Sequence, residues 1–129
     1  METKKILIVD DDIDLLFQLK MELESAGFEV VTAETGEEAE KHLAESSPDL
    51  AIVDLMIEQM DTGFVLCYHI KKRDPSIPVI LVTGVTRETG MEFDAATDEE
   101  RSWLKADAIL AKPIRFEQLQ REIGRLLKG

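Results

Sequence analysis

Three aspartates stand side by side at Asp10, Asp11 and Asp12, directly after the aliphatic run Ile-Leu-Ile-Val at 6–9. A single aspartate, Asp54, follows a second run at 50–53. Thr83 follows a third at 79–82, and Lys112 a fourth at 108–111. Adjacent carboxylates repel one another, so a cluster of them at the end of an apolar segment calls for a cation. Mg²⁺ answers that need, because it favours carboxylate and water oxygens and commonly takes one or two protein carboxylates plus phosphate oxygens. Each residue alone has an ordinary explanation. Asp12 and Thr83 suit helix caps, Asp54 a satisfied turn, Lys112 a solvated surface. Their joint occurrence at the ends of four apolar runs is what points to chemistry.

The elements that must position these residues are legible from the pattern around them. Five short runs, 6–9, 28–33, 50–53, 79–82 and 108–111, are mostly continuous and rich in Val and Ile, as strands covered on both faces are. The run at 28–33 contains Glu29 and Thr32, as expected of an edge strand. Between the runs lie helical segments. Asp12 is placed to cap a helix over 13–26 that Gly27 ends, and Thr35 to Glu38 has the spacing of a capping box. A third helix carries Phe64, Val65, Cys67, Tyr68 and Ile70 and stops before Asp74-Pro75. A short fourth is expected near 98–105. The last, from about Arg115, sets Phe116, Leu119, Ile123 and Leu126 on one face. Five alternations of strand and helix predict an α/β fold, a doubly wound five-stranded parallel sheet with helices on both faces. In such sheets ligands bind beyond the carboxyl ends of the strands, which is where the acidic cluster falls. The segment 84–97 is too long for an ordinary strand-to-helix loop.

The chain has 129 residues, the size of one domain, and 44% of them are hydrophobic. Lys plus Arg number 15 against 27 for Asp plus Glu, a formal charge of −12, which argues against direct binding to nucleic acid. The single Cys67 excludes an internal disulfide and any multi-cysteine zinc site. With no secretory signal before the first strand and no apolar run of membrane-spanning length, a cytoplasmic location without membrane attachment is expected.

The stretches "ILIVDDD", "AIVDLMIEQMDTGF", "PVILVTG" and "ILAKPI", in that order, resemble a receiver domain of the two-component response regulators. The likeness covers nearly the whole chain. It implies a flavodoxin-like fold with strand order 2-1-3-4-5 and five helices. It also implies a phospho-acceptor rather than a turnover enzyme, with Asp54 taking phosphate from a sensor histidine kinase, a phosphotransfer protein or a small phosphodonor. Asp10, Asp11 and Asp54, with the carbonyl of Met56, would bind Mg²⁺. Thr83 and Lys112 would contact the phosphoryl group, whose arrival would switch a partner-binding surface. The expected organisation is a single receiver domain over 1–129 with no output domain in this chain, acting on an output protein that the residues do not identify.

The chain also departs from the family's pattern. Glu58 stands where a proline is usual, Thr62 looks inserted before Gly63, and Ile109 replaces the switch aromatic. By the same resemblance, Met56 and Val85, both apolar, stand at positions that influence attack by water, which implies a long-lived phosphorylated form. Arg121, Arg125 and Lys128 share one helical face, and Asp94, Asp98, Glu99 and Glu100 lie in the preceding acidic segment. A weak, salt-sensitive homodimer is one expectation from that pairing. Other functions on similar sheets fit less well. A metal-dependent phosphohydrolase typically has a second aspartate at the position of Met56, and no phosphate-cradling loop follows the first strand as a flavodoxin-like cofactor binder needs. A degenerate scaffold is disfavoured because Asp10, Asp11, Asp54, Thr83 and Lys112 are all present.

Overall fold

The computed structural model describes residues 3–54, 62–83, 106–112 and 114–128. In chain order the elements are β1 (Lys5–Val9), α1 (Ile13–Ser25), β2 (Glu29–Ala33), α2 (Gly36–Glu45), β3 (Leu50–Asp54), α3 (Thr62–Arg73), β4 (Val79–Thr83), β5 (Ala108–Ala111) and α4 (Phe116–Lys128). The five strands form one parallel sheet in the order β2-β1-β3-β4-β5. The doubly wound, flavodoxin-like sheet order expected from the sequence is therefore present, and Glu29–Ala33 is indeed an edge strand. Four helices lie among the described residues. The expected helix near 98–105 falls outside them, as do Met56, Glu58, Val85 and Pro113.

Why the apolar runs are continuous becomes clear from the two faces of the sheet. Successive strand residues point to opposite sides. Leu7, Val9, Ala51, Val53, Val79 and Leu81 pack on one side against Ala39 and Leu43 of α2 and Leu66, Cys67 and Ile70 of α3. Ile6, Ile8, Leu50, Ile52, Ile80 and Val82 pack on the other against Leu16, Leu19 and Leu23 of α1 and Leu119 and Ile123 of α4. A strand sandwiched in this way has no polar face to spare until its chain leaves the sheet. Burying each such leucine or isoleucine contributes roughly 1.5–3 kcal/mol.

The helix ends follow their sequence signals closely. The Asp12 side chain accepts a hydrogen bond from the Leu15 N–H at 3.2 Å, capping α1. Gly27, at φ +99°, reverses the chain after it, a conformation that L side chains rarely adopt. Thr35 Oγ1 accepts from the Glu38 N–H at 3.1 Å, while the Glu38 carboxylate accepts from the Glu34 N–H at 2.8 Å. The box thus closes one residue before the cap, on Glu34. Thr62, the apparent insertion, is the first residue of α3.

Two aspartates that the sequence reading passed over hold the amino-terminal ends of the strands. Asp49, just before β3, donates its N–H to the Lys5 carbonyl at 2.8 Å and accepts the Lys5 N–H on Oδ2 at 2.7 Å. Asp107, just before β5, repeats the arrangement on Val79, donating at 2.9 Å and accepting at 2.8 Å. Each closes a two-bond ring on the first residue of a neighbouring strand.

Candidate functional site

The site is built where β1, β3, β4 and β5 end. Val9 pairs with Val53, so the next residues, Asp10 and Asp54, emerge side by side. Asp54 is itself the last residue of β3 and Thr83 the last of β4, one step further along than the apolar runs suggested. Lys112 follows β5, and its N–H donates to the Thr83 carbonyl at 2.8 Å, closing the ladder. Its Nζ lies 3.2 Å from Asp10 Oδ2 and 3.2 Å from Asp54 Oδ2. One ammonium thus bridges two carboxylates.

Asp10 and Asp54 are only 3% and 4% exposed, whereas Asp11 is exposed. Oxygens of Asp10, Asp11 and Asp54 all lie within 4.8 Å of one another. The second Asp10 oxygen, Oδ1, accepts the Asp12 N–H at 2.9 Å. Asp12 thus serves twice, its backbone fixing Asp10 and its side chain capping α1. Thr83 is buried beside them. Asp10, Asp11, Asp54, Thr83 and Lys112 therefore meet at the carboxyl end of the sheet. Met56 lies outside the described residues, so its carbonyl cannot be placed with them.

Burial pushes the Asp10 carboxyl up to about 6, with the Asp54 charge adding to the rise and the Asp12 N–H and Lys112 opposing it. Partial burial works against the Lys112 ammonium, but the Asp10 and Asp54 charges more than offset it and raise its pKa above the ordinary value. Three carboxylates and one ammonium leave two negative charges in a small, half-closed space if all are ionised. Such an all-oxygen, doubly negative donor set fits a hard divalent cation. Cys67 takes no part in this chemistry. It is buried on the α3 side of the sheet, where burial pushes its thiol up to about 11.

A pH dependence follows from Asp10. Its folded pKa lies above its unfolded one, so the folded state holds the proton more tightly. Metal-free protein therefore gains stability from this group as pH falls from neutral through about 6 towards 4. Metal binding needs the ionised form and runs the other way. Mg²⁺ affinity is expected to drop roughly tenfold between about pH 7 and about pH 5. Calorimetric titration at the two pH values measures it, and an affinity that rises on acidification contradicts the assignment. Substitutions separate the neighbouring acids. Asp12→Ala is expected to lower stability by roughly 0.5–2 kcal/mol, and Asp11→Ala to cost more Mg²⁺ affinity than Asp12→Ala. Chemical denaturation and metal titration of both variants test the division, which the reverse order of affinities would overturn.

A parallel β2-β1-β3-β4-β5 sheet with aspartates at the ends of β1 and β3 and a lysine after β5 defines a class, and the comparisons with known proteins agree on it. Residues 6–124 match the model of the response regulator receiver domain, and the chain belongs to that family. It is 37% identical over 125 residues to the heme response regulator HssR of Staphylococcus haemolyticus, covering 96% of this chain and 51% of that protein. It is 31% identical to the alkaline phosphatase synthesis transcriptional regulatory protein PhoP of Bacillus subtilis, covering 97% and 49%. The chain thus spans about half the length of the curated relatives it matches. Among solved structures, a CheY-like receiver domain protein from Methanospirillum hungatei superposes with a TM-score of 0.82 at 31% identity, covering 98% of this chain and 95% of that one. The response regulator TrrA of Thermotoga maritima, crystallised with Mg²⁺-BeF, gives 0.78 at 30% identity, covering 96% and 99%. The family assignment weighs against the phosphohydrolase and cofactor-binder alternatives.

Proposed function

We propose that this chain is a phospho-accepting receiver in which Asp54 takes a phosphoryl group in a Mg²⁺-dependent reaction. The observation that carries the reading is the bridge from Lys112 to Asp10 and Asp54, with Asp11 alongside. An Asp54 oxygen attacks phosphorus in line; the bond to the donor breaks, and the donor keeps its electron pair. A carboxylate oxygen acting as nucleophile gives up no proton, so no general base is needed. The Lys112 ammonium neutralises charge on the transferring oxygens, and the Thr83 hydroxyl donates to one of them. Asp10, Asp11 and Asp54 are the residues that would hold Mg²⁺, directly or through water, with the Met56 carbonyl as a further oxygen. When bound, the ion supplies positive charge against the phosphoryl oxygens. The chain acts once per phosphoryl group as an acceptor rather than as a turnover catalyst.

The partners follow from this reading. The donor is a sensor histidine kinase or phosphotransfer protein, and the phosphorylated form acts on an output protein. Ile13, Phe17 and Met21 on α1 are spaced by four and are largely exposed, an apolar stripe that begins one residue after the Asp10–Asp12 cluster. We assign this stripe to the donor protein. Phe17→Ala is accordingly expected to slow transfer from the donor protein without changing the rate with acetyl phosphate, and equal slowing with both would remove the stripe from donor recognition.

The output surface differs from one read by an aromatic switch. Ile109 is half-buried and packs beside the α3 core, so an aliphatic group occupies the switch position. On α4, Arg125 already pairs with Glu122 of the same helix, at 2.6 and 2.9 Å, which reduces what that basic face offers a second copy. The acidic residues 94–100 lie outside the described residues. Among the described residues no helix is long and apolar enough to cross a membrane, and a cytoplasmic location remains part of the proposal. Incubation with acetyl phosphate, with Mg²⁺ or with a chelator, tests the reading by intact mass. A gain of one phosphate in the presence of Mg²⁺ alone supports it, and no gain under either condition contradicts it.

A further inference from the structure

Lys112 must be held in place by β5, and β5 is poorly equipped to hold anything. It has four residues, pairs only with β4 among the described residues, and of its own residues buries only Leu110 fully. Its register on β4 nevertheless decides where Lys112 points, because a slip of one residue turns every side chain to the other face. At the far end of the strand stands Asp107. Its carboxylate Oδ2 accepts the Val79 N–H at 2.8 Å and lies 2.6 Å from Lys71 Nζ on α3, while its own N–H donates to the Val79 carbonyl at 2.9 Å. The Lys71 side chain is 16% exposed and that of Asp107 34%, so water reaches this ion pair mainly from the Asp107 side. Asp107 thus joins β4, β5 and α3 in one contact, at the end of the sheet opposite the acidic cluster.

We propose that Asp107 is a positioning residue, locking β5 in register on β4 and thereby setting Lys112 between Asp10 and Asp54. The lock works from one end and the Lys112 N–H to Thr83 carbonyl bond from the other, so the four residues between cannot slide. Asp49, which makes the same ring on Lys5, does this for β3 and hence for Asp54. Asp107 differs in serving an edge strand with little packing of its own, and in having Lys71 tie it to the helix that follows β3. The effect on phosphate transfer rests on the function proposed for Lys112; the effect on the position of Lys112 does not.

The test reads that position directly. At one fixed neutral pH, the nuclear magnetic resonance signals of the Lys112 side chain are expected to shift in Asp107→Ala relative to the wild type, as its ammonium leaves Asp10 Oδ2 and Asp54 Oδ2. Phosphate uptake from acetyl phosphate should fall roughly tenfold in the same variant, and Asp107→Ala should add nothing in a Lys112→Ala background, since both act through one group. Where Asp107→Ala does not fold, Lys71→Met carries the test, with a smaller shift of the same sign. An unshifted Lys112 in both variants overturns the inference, as does a rate loss that multiplies with that of Lys112→Ala. A normal uptake rate in Lys112→Ala alone would overturn the role of Lys112 in transfer instead, leaving the positioning result to stand by itself.

Discussion

Asp54→Asn is expected to take up no phosphate from acetyl phosphate or from a kinase, while folding as the wild type does. The asparagine side chain has nearly the same shape, so the 4% exposed position at the end of β3 stays filled and the ladders to β1 and β4 are untouched. The amide nitrogen has no free electron pair with which to attack phosphorus, and the amide oxygen is a far poorer nucleophile than a carboxylate. One of the two negative charges beside Lys112 is removed as well, so Mg²⁺ affinity should fall but not vanish, with Asp10 and Asp11 still present. Uptake by the variant at the wild-type rate, measured by intact mass over time, would mean that another side chain is the acceptor.

Lys112→Ala is expected to separate catalysis from metal binding. Loss of a preorganised donor to a developing oxyanion typically costs about 10²–10³ in rate, and Lys112 is the one ammonium within 3.2 Å of Asp54 among the described residues. The same substitution takes a positive charge away from Asp10 and Asp54, so Mg²⁺ should bind at least as tightly as before. The two effects therefore have opposite signs. Stability should also fall, because two nearly buried carboxylates are left facing each other without their shared partner. Rates of phosphate uptake and metal titrations on the folded variant decide this, and a parallel loss of rate and metal affinity would show that Lys112 only supports the fold.

Much of this arrangement was legible in the sequence, for identifiable reasons. The strands were visible because both faces of the sheet are covered, which leaves positions such as Ile6–Val9 and Leu50–Val53 uniformly apolar and the polar residues confined to the ends. Asp10, Asp54, Thr83 and Lys112 stood out because each breaks such a run. Asp12 and Thr35 announced the starts of α1 and α2, and Gly27 the turn after α1, through backbone requirements that few residues meet. What stayed hidden were contacts between elements distant in the chain. Asp107 and Lys71 are separated by a helix end, a strand and a long segment, and nothing in their spacing tells that they meet. Asp49 and Asp107 did carry a signal, an aspartate immediately before an apolar run, but that pattern reads equally well as a turn. The Lys112 bridge to two carboxylates was likewise beyond sequence reasoning, which placed the three groups in one crevice without their distances.

The central claim is that Asp54 is the residue phosphorylated. Wild-type protein treated with acetyl phosphate and Mg²⁺, reduced with borohydride and digested, yields a peptide map in which an aspartyl phosphate appears as homoserine. The account predicts a single converted residue, at position 54, absent when Mg²⁺ is withheld. Conversion at Asp10, Asp11 or any other position, with Asp54 intact, would contradict it.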